Sequence, residues 1–157
     1  LNQEAVVEEI PRGREIRVSL LGNAWLECLP LLERGSSRKA RKRCPAPVSE
    51  DEATEIKELA RRVFIATGCR DYARIDIRLS EGEDPPTVIG VSWDGVLAQR
   101  GSMAKSAEVA GYSYTDLIVR IVEEAALRYG AESAPEIATS GQELPDSKLP
   151  PGTPAAT

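Results

Sequence analysis

The spacing of hydrophobic and polar positions changes along the chain, and each change marks an element. Residues 15–21 alternate, with Ile16, Val18 and Leu20 on one side and Glu15, Arg17 and Ser19 on the other, the period of a half-buried strand. Gly22-Asn23 closes this strand with a hairpin signal, and residues 25–32 form its expected partner, weakened by Pro30. Ser49 predicts a helix start, because Glu52 stands three residues on and completes a capping box. Ile56, Leu59, Ala60, Val63 and Phe64 then recur at helical spacing, and Gly68 ends the helix. Acids crowd its first turn at Glu50, Asp51 and Glu52, and Arg61 and Arg62 come towards its end, in the sense of the helix dipole.

Residues 72–79 alternate again, with Tyr72, Arg74, Asp76 and Arg78 on one face and Ala73, Ile75, Ile77 and Leu79 on the other. A polar turn and a short β-branched run over 87–91 predict an antiparallel hairpin, broken by Trp93-Asp94-Gly95. Residues 102–110 predict a short helix ending at Gly111. Ser113 caps another that reaches about residue 129, with Leu117, Ile118, Ile121, Val122, Ala125 and Leu127 as its buried face. Beyond Gly130 the sequence turns to Pro, Ser, Gly, Thr and Ala without periodicity. The expected organisation is one folded unit over 1–130 and a disordered tail over 131–157.

Composition narrows the chemistry. The chain of 157 residues is 41% hydrophobic, enough for a core, and its net charge of -5 argues against general nucleic-acid binding, which needs a basic surface. Six of the ten residues at 34–43 (RGSSRKARKR) are nevertheless basic. That loop reads either as an anion or nucleic-acid contact, with a nuclear-signal pattern, or as a solvated connection. With no histidine, a zinc site has no imidazole, and Ser-His or Cys-His catalysis is excluded. Cys28, Cys44 and Cys69 are widely spaced and form no CxxC pair, which fits reduced thiols in a cytoplasm. No apolar run approaches the ~20 residues that span a bilayer, and residues 1–9 lack the basic start of a signal peptide. A chain that opens without methionine and enters strand-like sequence almost at once is expected to be a segment of a longer protein.

Three separated segments give the order a family character. VEEIPRGREIRVSLLGN at 7–23 resembles the ATP-grasp segment that supplies the adenine pocket and crosses into an antiparallel sheet. CPAPVSEDEATEIKELARRVFIATGCRDYARIDIRL at 44–79 resembles the helix and metal-bearing strand of D-alanine–D-alanine ligases, and SAEVAGYSYTDLIVRIVEEA at 106–125 their closing helices. The resemblance spans residues 4–129 and implies an α+β fold, the C-terminal ATP-grasp subdomain, with an antiparallel sheet and helices packed on one face. It also implies ATP and Mg²⁺ as cofactors, a small amino-acid substrate, and a dipeptide product for a peptidoglycan-type precursor. In such ligases a carboxylate attacks the γ-phosphate to give an acyl phosphate, and an amine then displaces phosphate. That chemistry rests on alignment and charge neutralisation more than on acid–base side chains, so it does not need histidine.

By the same resemblance Asp76 is the metal-binding aspartate and Arg74 the arginine that steadies charge on the transferring phosphoryl group. Two apart on a strand, they share a face; by spacing alone, an Arg–Asp–Arg ladder also reads as an ordinary polar sheet face. Glu15 matches the glutamate on the ATP ribose and Glu8 the acid near the adenine amino group; each also reads as a solvated acid at a strand end. Two departures stand out. The family's second metal motif, glutamate–any–asparagine, aligns with Gly90-Val91-Ser92, which lacks the bridging carboxylate; Asp94 is a nearby substitute or a turn residue. The family's nucleotide lysines and mobile phosphate loop have no counterpart here, so an N-terminal half or an oligomer partner is expected to complete the cleft. This chain alone is expected to be inactive, either part of an impaired ligase or a degenerate, non-catalytic binding module.

Overall fold

The computed structural model describes residues 9, 11–35, 41–80, 82, 84–93 and 97–130; Glu8, Asp94 and the expected tail lie outside them. Strand β1 (Arg14–Leu21) is the axis of the sheet. It pairs antiparallel with β4 (Tyr72–Leu79) along its whole length, from Arg14↔Leu79 to Leu21↔Tyr72. On its other edge the expected single partner is split around Pro30 into β2 (Glu27–Cys28) and β3 (Leu32–Arg34), both antiparallel to β1. A proline has no N–H to give to the ladder, so the pairing breaks there and resumes. Strand β5 (Thr87–Ser92) pairs antiparallel with β4 and completes the order β2-β1-β4-β5, with β3 beside β1. The predicted hairpin is therefore present, with one irregularity: Asp76 faces Gly90 but Ile77 faces Val88, which leaves Ile89 as a bulge.

Helix α1 (Glu50–Ala66) starts at Ser49 with both halves of the capping box formed. It lays Ile56, Ala60 and Phe64 on Ile16, Val18, Leu20, Ala73, Ile75 and Ile77, the larger core. Its last turn carries no basic residue, contrary to the dipole pattern expected of Arg61 and Arg62; Arg61 instead pairs with Glu58 one turn earlier at 3.3 Å.

The α+β class and antiparallel sheet are as expected, and the helices divide between the faces. Helices α2 (Ser102–Val109) and α3 (Tyr114–Arg128) pack at one end of the opposite face, where Met103, Ala107, Leu117 and Ile121 cover Leu21 and Tyr72. At that end the face presents Leu21 and Tyr72, which the two helices bury together with Leu29; beyond the buried Ser19 its β1 and β4 positions are the charged Glu15, Arg17, Arg74, Asp76 and Arg78. Within α3, Val122 and Leu127 are 55% and 62% exposed, not buried as their spacing predicted. Glu124 is buried in their stead, because the Asn23 amide donates to its carbonyl and carboxylate and Arg120 pairs with it at 3.0 Å. Asn23 also reaches Asp71, whose φ of 64° makes it the one non-glycine residue in the left-handed region among the described residues. Among the described residues no helix is long and apolar enough to cross a membrane.

Candidate functional site

The charged half of the sheet face opposite α1 holds the residues of interest. Alternation places Glu15 and Arg17 of β1 and Arg74, Asp76 and Arg78 of β4 on it together. Arg74 grips Asp76 in a two-pronged pair: Nε donates to Oδ1 at 2.8 Å and Nη2 to Oδ2 at 3.1 Å. The same Nη2 donates to Ser92 Oγ at 3.0 Å, and Arg17 Nε stands 3.7 Å from Asp76 Oδ1. Across the strand gap Asp76 faces Gly90 and Arg74 faces Ser92, so the bulge at Ile89 sets Gly90 and Ser92 against the two expected site residues. A β-carbon added at Gly90 meets Asp76 Cβ and Oδ2 at 3.9 Å, an ordinary contact, so a side chain there would enter the same site.

Glu15 lies at the other end of this face and is held by three arginines. Arg17 donates to its Oε1 at 3.1–3.2 Å, Arg34 Nη1 donates to both oxygens at 3.1–3.2 Å, and Arg78 Nη2 is 3.9 Å away. Arg17 is itself anchored to α2 through Ser102 Oγ at 2.8 Å. Arg17, Arg34 and Arg78 were not among the sequence candidates. The alternation that places Arg17 and Arg78 beside Glu15 and Asp76 was the signal that could have found them. Arg34 needed the β1–β3 register, in which Glu15 faces Arg34.

Glu15 and Arg78 also line an open cleft of about 1350 Å³ at the start of β1. Its wall is completed by β3, by residues 41–45 and by Lys105 of α2. Cys44 belongs to that wall; burial pushes its thiol up from the usual range, against the Ser106 hydrogen bond that lowers it. Cys28, Cys44 and Cys69 are all free thiols.

The donor set does not fit two magnesium ions. Mg²⁺ takes hard oxygen ligands, with one or two carboxylates from the protein. Both oxygens of Asp76 already accept from Arg74, Gly90 has no ligand atom, and the Ser92 hydroxyl is taken by Arg74. Among the described residues no group of three or more Asp, Glu, Cys or His is arranged to hold a metal.

Comparison with known proteins agrees with this fold. The family model described as D-ala D-ala ligase C-terminus matches residues 1–123. The uncharacterized protein y4sG of Sinorhizobium fredii is 35% identical over 143 residues, covering 81% of this chain and 42% of that protein. The D-alanine–D-alanine ligase of Actinobacillus succinogenes is 30% identical over 127 residues, covering 75% of this chain and 41% of the ligase. Among solved structures, the Bacillus anthracis D-alanine–D-alanine ligase complexed with ATP superposes with a TM-score of 0.68 at 23% identity, over 81% of this chain and 42% of that one. The Coxiella burnetii enzyme gives 0.71 at 23% identity, over 78% of this chain and 34% of that one. The chain thus spans less than half the length of these relatives. With residues 1–123 of the chain matched by the family model, the chain belongs to the D-alanine–D-alanine ligase C-terminal family, a part of the ATP-grasp fold.

Proposed function

We propose that this chain forms one wall of a nucleotide site in an ATP-dependent carboxylate–amine ligase of the D-alanine–D-alanine type, and that its ligase chemistry is impaired at the second metal position. The observation that carries this reading is the register of β4 against β5, with Asp76 opposite Gly90 and Arg74 opposite Ser92. Arg74 is assigned to the transferring phosphoryl group, Asp76 to the remaining cation position, Glu15 to the ribose, and Glu8 to the adenine. A second ligase segment or an oligomer partner supplies the other wall and the amino-acid pocket. Three free thiols suit a cytoplasmic setting, where the peptidoglycan-type dipeptide would be made.

No ligation step is assigned through magnesium, because the donor set does not fit two ions. What the chain's own residues do is orient charge: a guanidinium locked to a carboxylate presents its remaining N–H edge in a fixed direction. A second reading, a degenerate binding or interaction module, is favoured by one feature. Both oxygens of Asp76 are engaged by Arg74, so a cation at this carboxylate would sit beside a guanidinium of like charge.

Restoring the lost ligands tests the reading on the chain itself. Gly90→Glu with Ser92→Asn sets a carboxylate and an amide beside Asp76. The expected outcome is Mn²⁺ binding, followed by paramagnetic relaxation of water, at least about tenfold tighter than in the parent chain, or ~1.4 kcal/mol. Adding Asp76→Ala should remove the gain. If the double variant melts like the parent and gains nothing, Gly90 does not occupy the position of a metal ligand.

A further inference from the structure

We propose that the outer side of α3 is a docking surface for an amphipathic helix that carries lysine or arginine along one flank of its apolar seam. Helix α3 buries Leu117, Ile121 and Glu124. Beside that buried face lies a second one. Thr115, Val122 and Tyr129 stand seven residues apart, and Ile118 and Ala125 come three residues after the first two of them. This is the a and d pattern of a heptad, and the adjoining e positions hold Val119 and Ala126. At 3.6 residues per turn the set lies within roughly 120° of the helix circumference. None of its members carries a charge.

An apolar stripe at this period ordinarily faces a core. Here the core is filled by Leu117 and Ile121, and the second stripe meets solvent. Val119, Val122 and Tyr129 are 36%, 55% and 78% exposed, Thr115 is exposed, and Ile118, Ala125 and Ala126 are half-buried. The heptad spacing selects a helix as the occupant, because the side chains of a facing helix enter the holes between residues so spaced. The seam also has relief. Ile118, Val119 and Val122 fill its first part, and Ala125 and Ala126 leave room in the second for a larger side chain from the partner. Tyr129 closes that end, its ring held by the Arg128 guanidinium 4.6 Å from the ring centre.

The border of the seam decides the charge of the partner. Asp116 and Glu123, again seven residues apart, line the edge that lies away from the buried face. Arg120 lies beyond them and turns to Glu124 at 3.0 Å, with Glu123 4.0 Å away, so the border stays acidic. Two copies of α3 packed antiparallel would set one acidic border alongside the other, which opposes self-association. A helix with lysine or arginine at heptad spacing along its flank meets Asp116 and Glu123 with opposite charge instead. This inference stands apart from the ligase reading, since Val122 and Glu123 lie on α3 and the Glu15–Asp76 face is built from β1 and β4.

The experiment is fluorescence anisotropy of a labelled peptide titrated with the intact chain at low salt. The probe is a peptide of about three heptads with Leu at a and d and Lys at e and g, whose lysines oppose its own pairing. It is expected to bind, and the same peptide with Glu at e and g to bind at least about tenfold more weakly. A peptide of the same composition in scrambled order, without the heptad, should also bind at least about tenfold more weakly. Val122→Gln, at an exposed position, should cost at least about tenfold while the variant melts like the parent. Glu123→Lys should reverse the preference between the Lys-flanked and Glu-flanked peptides. The proposal is overturned if the Lys-flanked peptide does not bind, if the scrambled peptide binds as well, which would leave charge attraction alone, or if Val122→Gln and the parent bind alike. An unchanged preference in Glu123→Lys also overturns it. So does a parent chain that sediments as a dimer while Val122→Gln sediments as a monomer, which would give the face to a second copy.

Discussion

Asp71 shows how one residue can hold two distant parts of the chain in place. Its left-handed backbone is uncommon for a side chain with a β-carbon and is tolerated best by Asn, Asp and Gly. Arg128 clamps its carboxylate, with Nη2 at 2.6 Å and Nε at 3.2 Å, and Asn23 adds a further bond at 3.0 Å. The Arg128 hydrogen bonds, ahead of the Asn23 bond, hold this carboxyl below the usual aspartate range. A lowered folded-state pKa means stability that is present above the unfolded pKa and lost as pH falls through the folded one. Asp71→Asn keeps a residue suited to the backbone and removes only the charge. The variant is expected to melt below the parent at neutral pH. The gap should be flat down to about pH 5 and close below about pH 4, given an unfolded aspartate pKa of ~3.9. Melting temperatures of the two chains across pH 2–7 check this, on the order of one carboxyl titration; a gap independent of pH would mean that the Arg128 pair contributes nothing.

At the scale of elements, α1 owes its start to a local signal. Ser49 Oγ accepts from the Glu52 N–H at 3.2 Å and the Glu52 carboxylate accepts from the Ser49 N–H at 2.7 Å. Ser49→Ala is expected to cost about 1 kcal/mol in urea unfolding, the usual worth of an N-cap. Ser113→Ala should cost a similar amount, since α3 opens on the same reciprocal pair with Asp116; no change in either would mean that packing alone holds the helix ends. Such boundaries were legible in the sequence because caps and alternation are written within a few consecutive residues. The face shared by Arg74 and Asp76 was legible for the same reason, since it needs only a period of two. The bulge at Ile89 was not, because it is a relation between strands; the isolated Gly90 was its only trace. Arg34 beside Glu15 also escaped, as it depends on β3 turning back after Pro30. The α3 face failed differently. Val122 and Leu127 have the right period, but the second core is small and is filled by Leu117 and Ile121, so a wider apolar stripe has nothing to cover.

Over the whole molecule, stability is concentrated in the pair β1–β4. These strands share eight consecutive register partners, and Ile16, Val18, Leu20, Ala73, Ile75 and Ile77 are all fully buried beneath α1. Strand β5 has one partner and partly exposed side chains throughout. Amide hydrogen exchange should therefore rank β1 and β4 as the slowest, with the outward amides of β5 exchanging well before them. Equal protection of β5 and β1 would point to a further partner on the outer edge. The central position of β1 has another consequence, for the order in which the protein is made. Among the described strands β1 comes first, and it pairs with three of the four that follow it. Its second edge stays open until residue 79 has been synthesised, and its apolar face waits for Phe64. A nascent chain in that interval carries an unpaired, β-branched edge, the kind that joins to copies of itself on neighbouring ribosomes. The six basic residues at 34–43 are translated within that interval, and like charges beside an open strand edge oppose its pairing with copies of itself.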